Sequence, residues 1–170
     1  MGFLGLCLLF VGIALIMNGV AAISKWDART TAFINLITGG ILVIGNFIGI
    51  AKTDGAITAE YNNAAAGFLF GFTYIFIAAN YLLKLDPRAF GWYSVCVVVF
   101  AVISTVVCVQ GGAVSLGILW AAWAVLWLEG FLQLSLGMQK LSAIFPALSI
   151  LEGICATGGP GVLMLFDWWR

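Results

Sequence analysis

Six apolar runs, each close to 20 residues long, leave this chain one class of fold. About 20 residues at 1.5 Å each cross the hydrocarbon of a bilayer as a helix. Lipid offers no partner for a peptide N–H or C=O, so each run must satisfy its own backbone. The runs fall at about 2–23, 30–51, 64–83, 90–109, 114–134 and 143–166. Strand-like alternation is absent, and a barrel strand uses only about 10 residues. The sequence is 64% hydrophobic and 8% charged, against about a quarter charged in a soluble domain. We therefore expect an all-α integral membrane protein, one six-span domain over residues 1–170. The amino terminus lacks a basic n-region and an A-x-A cleavage site, so the first run reads as a retained span.

The connections orient the helices. Those after spans one, three and five hold Lys25, Arg29, Lys84, Arg88 and Lys140, while the opposite side holds Lys52 and Arg170. The positive-inside rule puts the first set in the cytoplasm and both termini outside. The longest polar connection is Lys52 to Asn63, and Gln110-Gly111-Gly112 makes a tight turn between spans four and five.

What is missing excludes chemistry. There is no histidine, which removes the commonest metal ligand, the usual sensor between pH 5 and 8, and Ser-His or Cys-His catalysis. No GxSxG or HExxH pattern occurs. Cys7, Cys96, Cys108 and Cys155 lie inside apolar runs without a CxxC pair and read as small buried hydrophobes. No enzyme, cofactor or metal is expected. Zero net charge gives no reason to expect nucleic acid.

The feature most in need of explanation is Leu116 to Gly130, where Trp120, Trp123 and Trp127 share one helical face. Measured from Val114, they lie about 9, 14 and 20 Å along the axis. Trp26, Trp92, Trp168 and Trp169 sit at span ends, where an interfacial belt accounts for them. Trp123 falls near the midplane, where a lipid-facing indole gains little. Spacing leaves two readings open, helix packing or the wall of a solute path. Span three carries a second aromatic face of Phe70, Tyr74, Ile77 and Tyr81. Span one carries Leu4, Leu8, Val11, Leu15 and Asn18 in a heptad-like stripe. Beside that stripe Gly5, Gly12 and Gly19 repeat every seven residues, a groove for a neighbouring helix; Gly45-x3-Gly49 and Gly67-x3-Gly71 are similar signals.

Polar groups inside the spans are few: Asn18, Asn46, Asn80, Glu129 and Glu152. Glu152 is the deepest acid, either a link to a neighbouring helix or a group in a vestibule. Glu129, nearer a span end, is expected to reach water. Isolated carboxylates with no membrane-embedded Lys, Arg or His make a poor proton relay, which argues against an energised pump. An aromatic and aliphatic lining suits a small, flat, neutral solute and gives a bare ion no replacement for its hydration shell.

These residues resemble a known family. Leu8 to Gly19, Lys25-x-Asp27, Asn35 with Gly39-Gly40, Gly67 to Tyr74 (GFLFGFTY), Ala122 to Phe131 (AWAVLWLEGF) and Leu151 to Ile154 (LEGI) are similar to the bacterial urea/amide channels, AmiS/UreI. The similarity covers nearly the whole chain in order. It implies a ring-shaped homohexamer in the cytoplasmic membrane, each protomer carrying its own path for urea and short-chain aliphatic amides, which feeds a cytoplasmic urease or amidase. By resemblance, Trp123, with Leu8 and Val11, forms an outer constriction flanked by Leu4 and Trp120. Phe70, Tyr74, Leu126 and Trp127 form an inner one, with Leu15 a neighbouring lining position. Glu152 matches an acid regarded as important in the family, and Asn18 is a further polar candidate. Acid-gated members carry a long histidine-bearing outer loop after span two. That loop is short here and lacks histidine, so the expectation is a channel open without acid gating between pH 5 and 7.5. The alternative is an ion- or proton-coupled transporter of a small neutral metabolite.

Overall fold

Asp86-Pro87-Arg88 shows how the fourth helix begins. Proline at the first helical position loses no useful N–H. The Asp86 carboxylate accepts the Arg88 backbone N–H at 3.0 Å and caps the helix. The fourth span therefore starts at Pro87, three residues before its apolar run.

The structure, a computed structural model, describes residues 2–52 and 58–169, with side chains from 61 onward in the second stretch. Asp54, Arg170 and the Glu60 side chain lie outside the described residues. Among the described residues, six helices are long and apolar enough to cross a membrane. They are α1 (Gly2–Ser24), α2 (Ala28–Ala51), α3 (Thr58–Leu83), α4 (Pro87–Gln110), α5 (Val114–Leu134) and α6 (Phe145–Leu165). A 3₁₀ turn, Gln139–Ala143, leads into α6. Helix α3 begins at Thr58, so its first turn occupies part of the expected polar connection. Lys25, Lys84 and Asp167, at φ of 53°, 52° and 56°, supply the left-handed residue that ends α1, α3 and α6.

The chain forms two compact units, Met1–Asp27 with Asp86–Arg170, and Ala28–Leu85. In the first, α6 lies between α1 and α5, and α4 packs on α5. The heptad glycines of α1 make the α1–α6 crossing. A Cβ on Gly5 would come 3.0 Å from Gly161 O, one on Gly12 2.5 Å from Gly158 Cα, and one on Gly19 2.7 Å from Pro146 O. Rising numbers on α1 meet falling numbers on α6, so the two run antiparallel with backbones almost touching. Ser149, buried, donates its hydroxyl to Leu15 O at 2.8 Å across the same seam. The α4–α5 hairpin turns at Gly112 (φ 81°) and closes at its other end where Ser135 Oγ donates to Arg88 O at 2.9 Å.

The second unit is the α2–α3 hairpin. A Cβ on Gly39 would lie 2.8 Å from Gly71 O, and the Asn46 side chain rests directly on Gly67. Gly67 and Gly71 both serve as contacts, whereas Gly49 has open space around it. Thr31, Asn35, Thr38 and Asn46 form a buried polar stripe along α2. Its amides are held locally: Asn35 Nδ2 donates to Thr31 O at 2.8 Å and Asn46 Nδ2 to Leu42 O at 2.7 Å.

Two expectations need correction. Cys96 and Cys155 are exposed on the outside of their helices and Cys108 is half-buried; Cys7 alone of the four is buried. Glu129 does not reach water: it is buried, 6% exposed. Its helix continues to Leu134, a turn beyond it.

Candidate functional site

Among the described residues, span six is the one helix interrupted by a π turn. Gly153–Gly158 is a π-helical turn between two α-helical halves, Phe145–Glu152 and Gly159–Leu165. Four glycines and a proline within Gly153-Ile-Cys-Ala-Thr-Gly-Gly-Pro-Gly161 lower the cost of leaving α geometry. Thr157, fully buried, offsets part of the disruption by donating its hydroxyl to Glu152 O at 3.0 Å and Gly153 O at 3.1 Å. Single π turns inside helices commonly mark functional positions.

Helix α5 presents the tryptophan face beside this turn. Trp120, Trp123 and Trp127 are 8%, 3% and 8% exposed, whereas Ile118 and Val125 on the far side of α5 are open to the surroundings. The stripe is therefore turned into the protein rather than towards lipid. Trp123 donates its indole N–H to Ala156 O, inside the π turn, at 3.1 Å. Trp120 meets Trp123 edge to face, with centroids 5.0 Å apart and planes at 77°, and Phe100 of α4 packs on Trp120 at 5.7 Å. Edge-to-face contact is the arrangement ring quadrupoles favour, so three rings and one carbonyl hold each other in place.

The remaining candidates fall as follows. Leu8, Val11, Leu15 and Asn18 are buried on α1, the helix on the other flank of α6 from α5. Leu4, at the start of α1, is 37% exposed. Leu126 is half-buried. Phe70 and Tyr74 are buried on α3, in the other compact unit. Glu152 closes the first half of α6, 4% exposed, and among the described residues its Oε2 has no hydrogen-bond partner. Glu129 Oε1 and Asn80 Oδ1 are likewise without one. Among the described residues no cluster of three His, Cys, Asp or Glu could hold a metal.

Sequence reading missed the π turn, and with it Ala156, Thr157 and Pro160. The run Thr157-Gly158-Gly159-Pro160 was the available signal. The polar stripe of α2 was also legible as helical spacing, but of its members only Asn46 was read as a polar residue inside a span.

Among the described residues, six membrane-length helices and a buried aromatic face make this a multi-pass membrane protein. The chain belongs to the AmiS/UreI family: the model described as "AmiS/UreI family transporter" matches residues 3–168. The "Acid-activated urea channel" of Helicobacter pylori is 34% identical over 195 aligned positions, covering 98% of this chain and 99% of that protein. That alignment is longer than the 170 residues here, so the relative carries segments this chain lacks. A "Putative amidate substrates transporter protein" of Mycolicibacterium smegmatis is 30% identical, covering 98% of this chain and 78% of its own. Among solved structures, the crystal structure of the urea channel from Helicobacter pylori superposes with a TM-score of 0.84 at 33% identity, covering 98% and 99% of the two chains.

Proposed function

We propose that this protein is a passive channel for urea and short-chain aliphatic amides. One observation carries the reading: the Trp120–Trp123–Trp127 face is buried and, at Trp123, anchored by a hydrogen bond. Indole faces lined up along a helix offer a flat amide apolar surfaces to slide over, with few polar groups to bind it tightly. Passage requires that solute be held weakly enough to leave. The same surfaces give a bare cation no oxygen ligands in place of its water.

The outer constriction is assigned to Leu4, Leu8, Val11, Trp120 and Trp123, and the inner one to Leu15, Leu126 and Trp127. The assignment of Phe70 and Tyr74 to the inner constriction rests on resemblance and is tested separately below. Asn18, three residues beyond Leu15, and Glu152, by family resemblance, are the polar candidates. The six spans work as one domain in the bacterial cytoplasmic membrane with both termini outside, a reading supported by the five-to-two distribution of basic residues. Family resemblance supports a homohexamer and supply of a cytoplasmic urease or amidase.

Stopped-flow light scattering on proteoliposomes given urea, acetamide or glycerol gradients tests the function. Urea and acetamide should enter faster than into protein-free liposomes, with no accumulation under an imposed ΔpH or membrane potential. Uptake against a gradient would establish instead a coupled transporter. Absence of histidine and shortness of the connection after α2 support a path open without acid. Urea flux should agree within about twofold at pH 5 and pH 7.5, since no histidine titrates between them. A tenfold change between those values refutes constitutive opening.

A further inference from the structure

Trp123 donates its indole N–H to the oxygen of the Ala156–Thr157 peptide unit, at 3.1 Å in a buried position. A peptide unit is planar, so the plane that carries Ala156 O also carries the backbone nitrogen of Thr157. Whatever holds Thr157 therefore holds the direction in which that oxygen points. Thr157 is fully buried, and its hydroxyl bridges Glu152 O at 3.0 Å and Gly153 O at 3.1 Å. A threonine in a regular helix turns its hydroxyl back to a carbonyl three or four residues earlier. Here it also reaches the carbonyl five residues back. The turn itself closes over the same span, Gly159 N–H donating to Ile154 O.

We propose that Thr157 is a positioning residue for Trp123. Its hydroxyl ties residue 157 to the first carbonyls of the widened turn, holds the Ala156–Thr157 peptide plane at one tilt, and so aims Ala156 O at the indole on α5. Trp120, edge-on to Trp123 at 5.0 Å, is oriented in turn. Helix α1 supports the turn from its other flank, where a Cβ on Gly12 would come 2.5 Å from Gly158 Cα and 2.7 Å from Gly153 O. That backbone contact limits how far the turn moves as a body; the hydroxyl sets the tilt of one peptide within it. The effect on permeation rests on the channel reading above, whereas the coupling of Thr157 to Trp123 does not.

The test combines a spectroscopic and a transport readout. In protein labelled with ¹⁵N-tryptophan, the Trp123 indole N–H resonance is identified by its loss in Trp123→Phe. Thr157→Val keeps the branched shape but removes the hydroxyl, and the resonance should move upfield, as a weakened hydrogen bond requires. Thr157→Ser restores a hydroxyl and should restore the resonance. In proteoliposomes, Thr157→Val should shift the urea-to-acetamide permeability ratio by about two- to fivefold, the upper figure being one net hydrogen bond. Made in a Trp123→Phe background, which has no indole N–H to aim, Thr157→Val should leave the ratio where Trp123→Phe alone puts it. A folded Thr157→Val protein with an unmoved resonance overturns the proposal, as does an equal shift in both backgrounds. Should Thr157→Val fail to fold, Thr157→Cys, which offers only a weak donor, is compared with Thr157→Ser: an upfield displacement supports the proposal and coincident resonances overturn it. A resonance that moves in a protein whose unaltered form passes neither urea nor acetamide would refute the channel reading while upholding the positioning role.

Discussion

Gly12→Ala is the substitution in which the α1–α6 crossing is most exposed to test. The added Cβ would sit 2.5 Å from both Gly158 Cα and Gly158 N, and 2.7 Å from Gly153 O. Ordinary contact begins at 3.4 Å, so the helices must part by about 0.9 Å at this point. All three obstructing atoms are backbone, so no rotamer change relieves them. A gap of 0.5–1 Å forfeits about a quarter to a half of the dispersion energy of each opened contact. The neighbouring Ser149–Leu15 hydrogen bond and the Gly5–Gly161 approach lie on the same seam and would stretch with it. We expect a loss of about 2–4 kcal/mol, at or above the usual range for overpacking. Gly40→Ala is the control. It is also a helical glycine, but a Cβ there meets nothing within 4 Å, and alanine should gain about 0.5–1 kcal/mol from propensity. Equilibrium unfolding of both variants in mixed micelles, followed by tryptophan emission, reads the difference. Equal stability of Gly12→Ala and Gly40→Ala would refute the backbone-contact reading of the glycine heptad.

Gly67→Ala drives a methyl into the Asn46 amide and should break its 2.7 Å bond to Leu42 O; a cost of about 1–3 kcal/mol in the same assay is expected, and none at all would mean the α2–α3 hairpin relaxes freely. Trp127→Ala should alter relative permeabilities of urea, acetamide and glycerol, because it opens the space of an indole in the stripe; Tyr74→Phe, which deletes only a hydroxyl, should alter them by severalfold. Unchanged ratios in folded protein return either residue to helix packing. At the start of α4, the Arg88 side chain and backbone hydrogen bonds hold the Asp86 carboxyl down at about 2 from its ordinary 3.8. A depressed acid stabilises the fold above its unfolded pKa and loses that contribution as pH falls through its folded one. The first turn of α4 should therefore show constant amide protection from pH 7.5 to 5, corrected for intrinsic exchange, and lose protection only as pH falls below about 4. Asp86→Asn keeps a capping oxygen but cannot titrate, so its protection should no longer respond to acid in that range.

How much of this was legible beforehand depends on the range of the interaction that decides each feature. The six helices follow from runs that must close their own backbone hydrogen bonds in lipid, a requirement each segment meets without reference to the rest. The heptad of Gly5, Gly12 and Gly19 likewise announced a close helix neighbour, since helical periodicity alone puts the three on one face. Which helix fills the groove was not legible; α6 does, because its glycines at 153, 158 and 161 are the complementary backbone surface. Burial of Glu129 could not be read from its place near a run's end, because it depends on what covers that end of α5.

The same division holds for the tryptophan face. Sequence alone put Trp120, Trp123 and Trp127 in one stripe at graded depth, as a consequence of 3.6 residues per turn, and left packing and path equally open. Tertiary structure decided that the stripe points inward and that Trp123 is tethered to Ala156. Local periodicity carries no information about that, since the partner is chosen by how α5 and α6 pack.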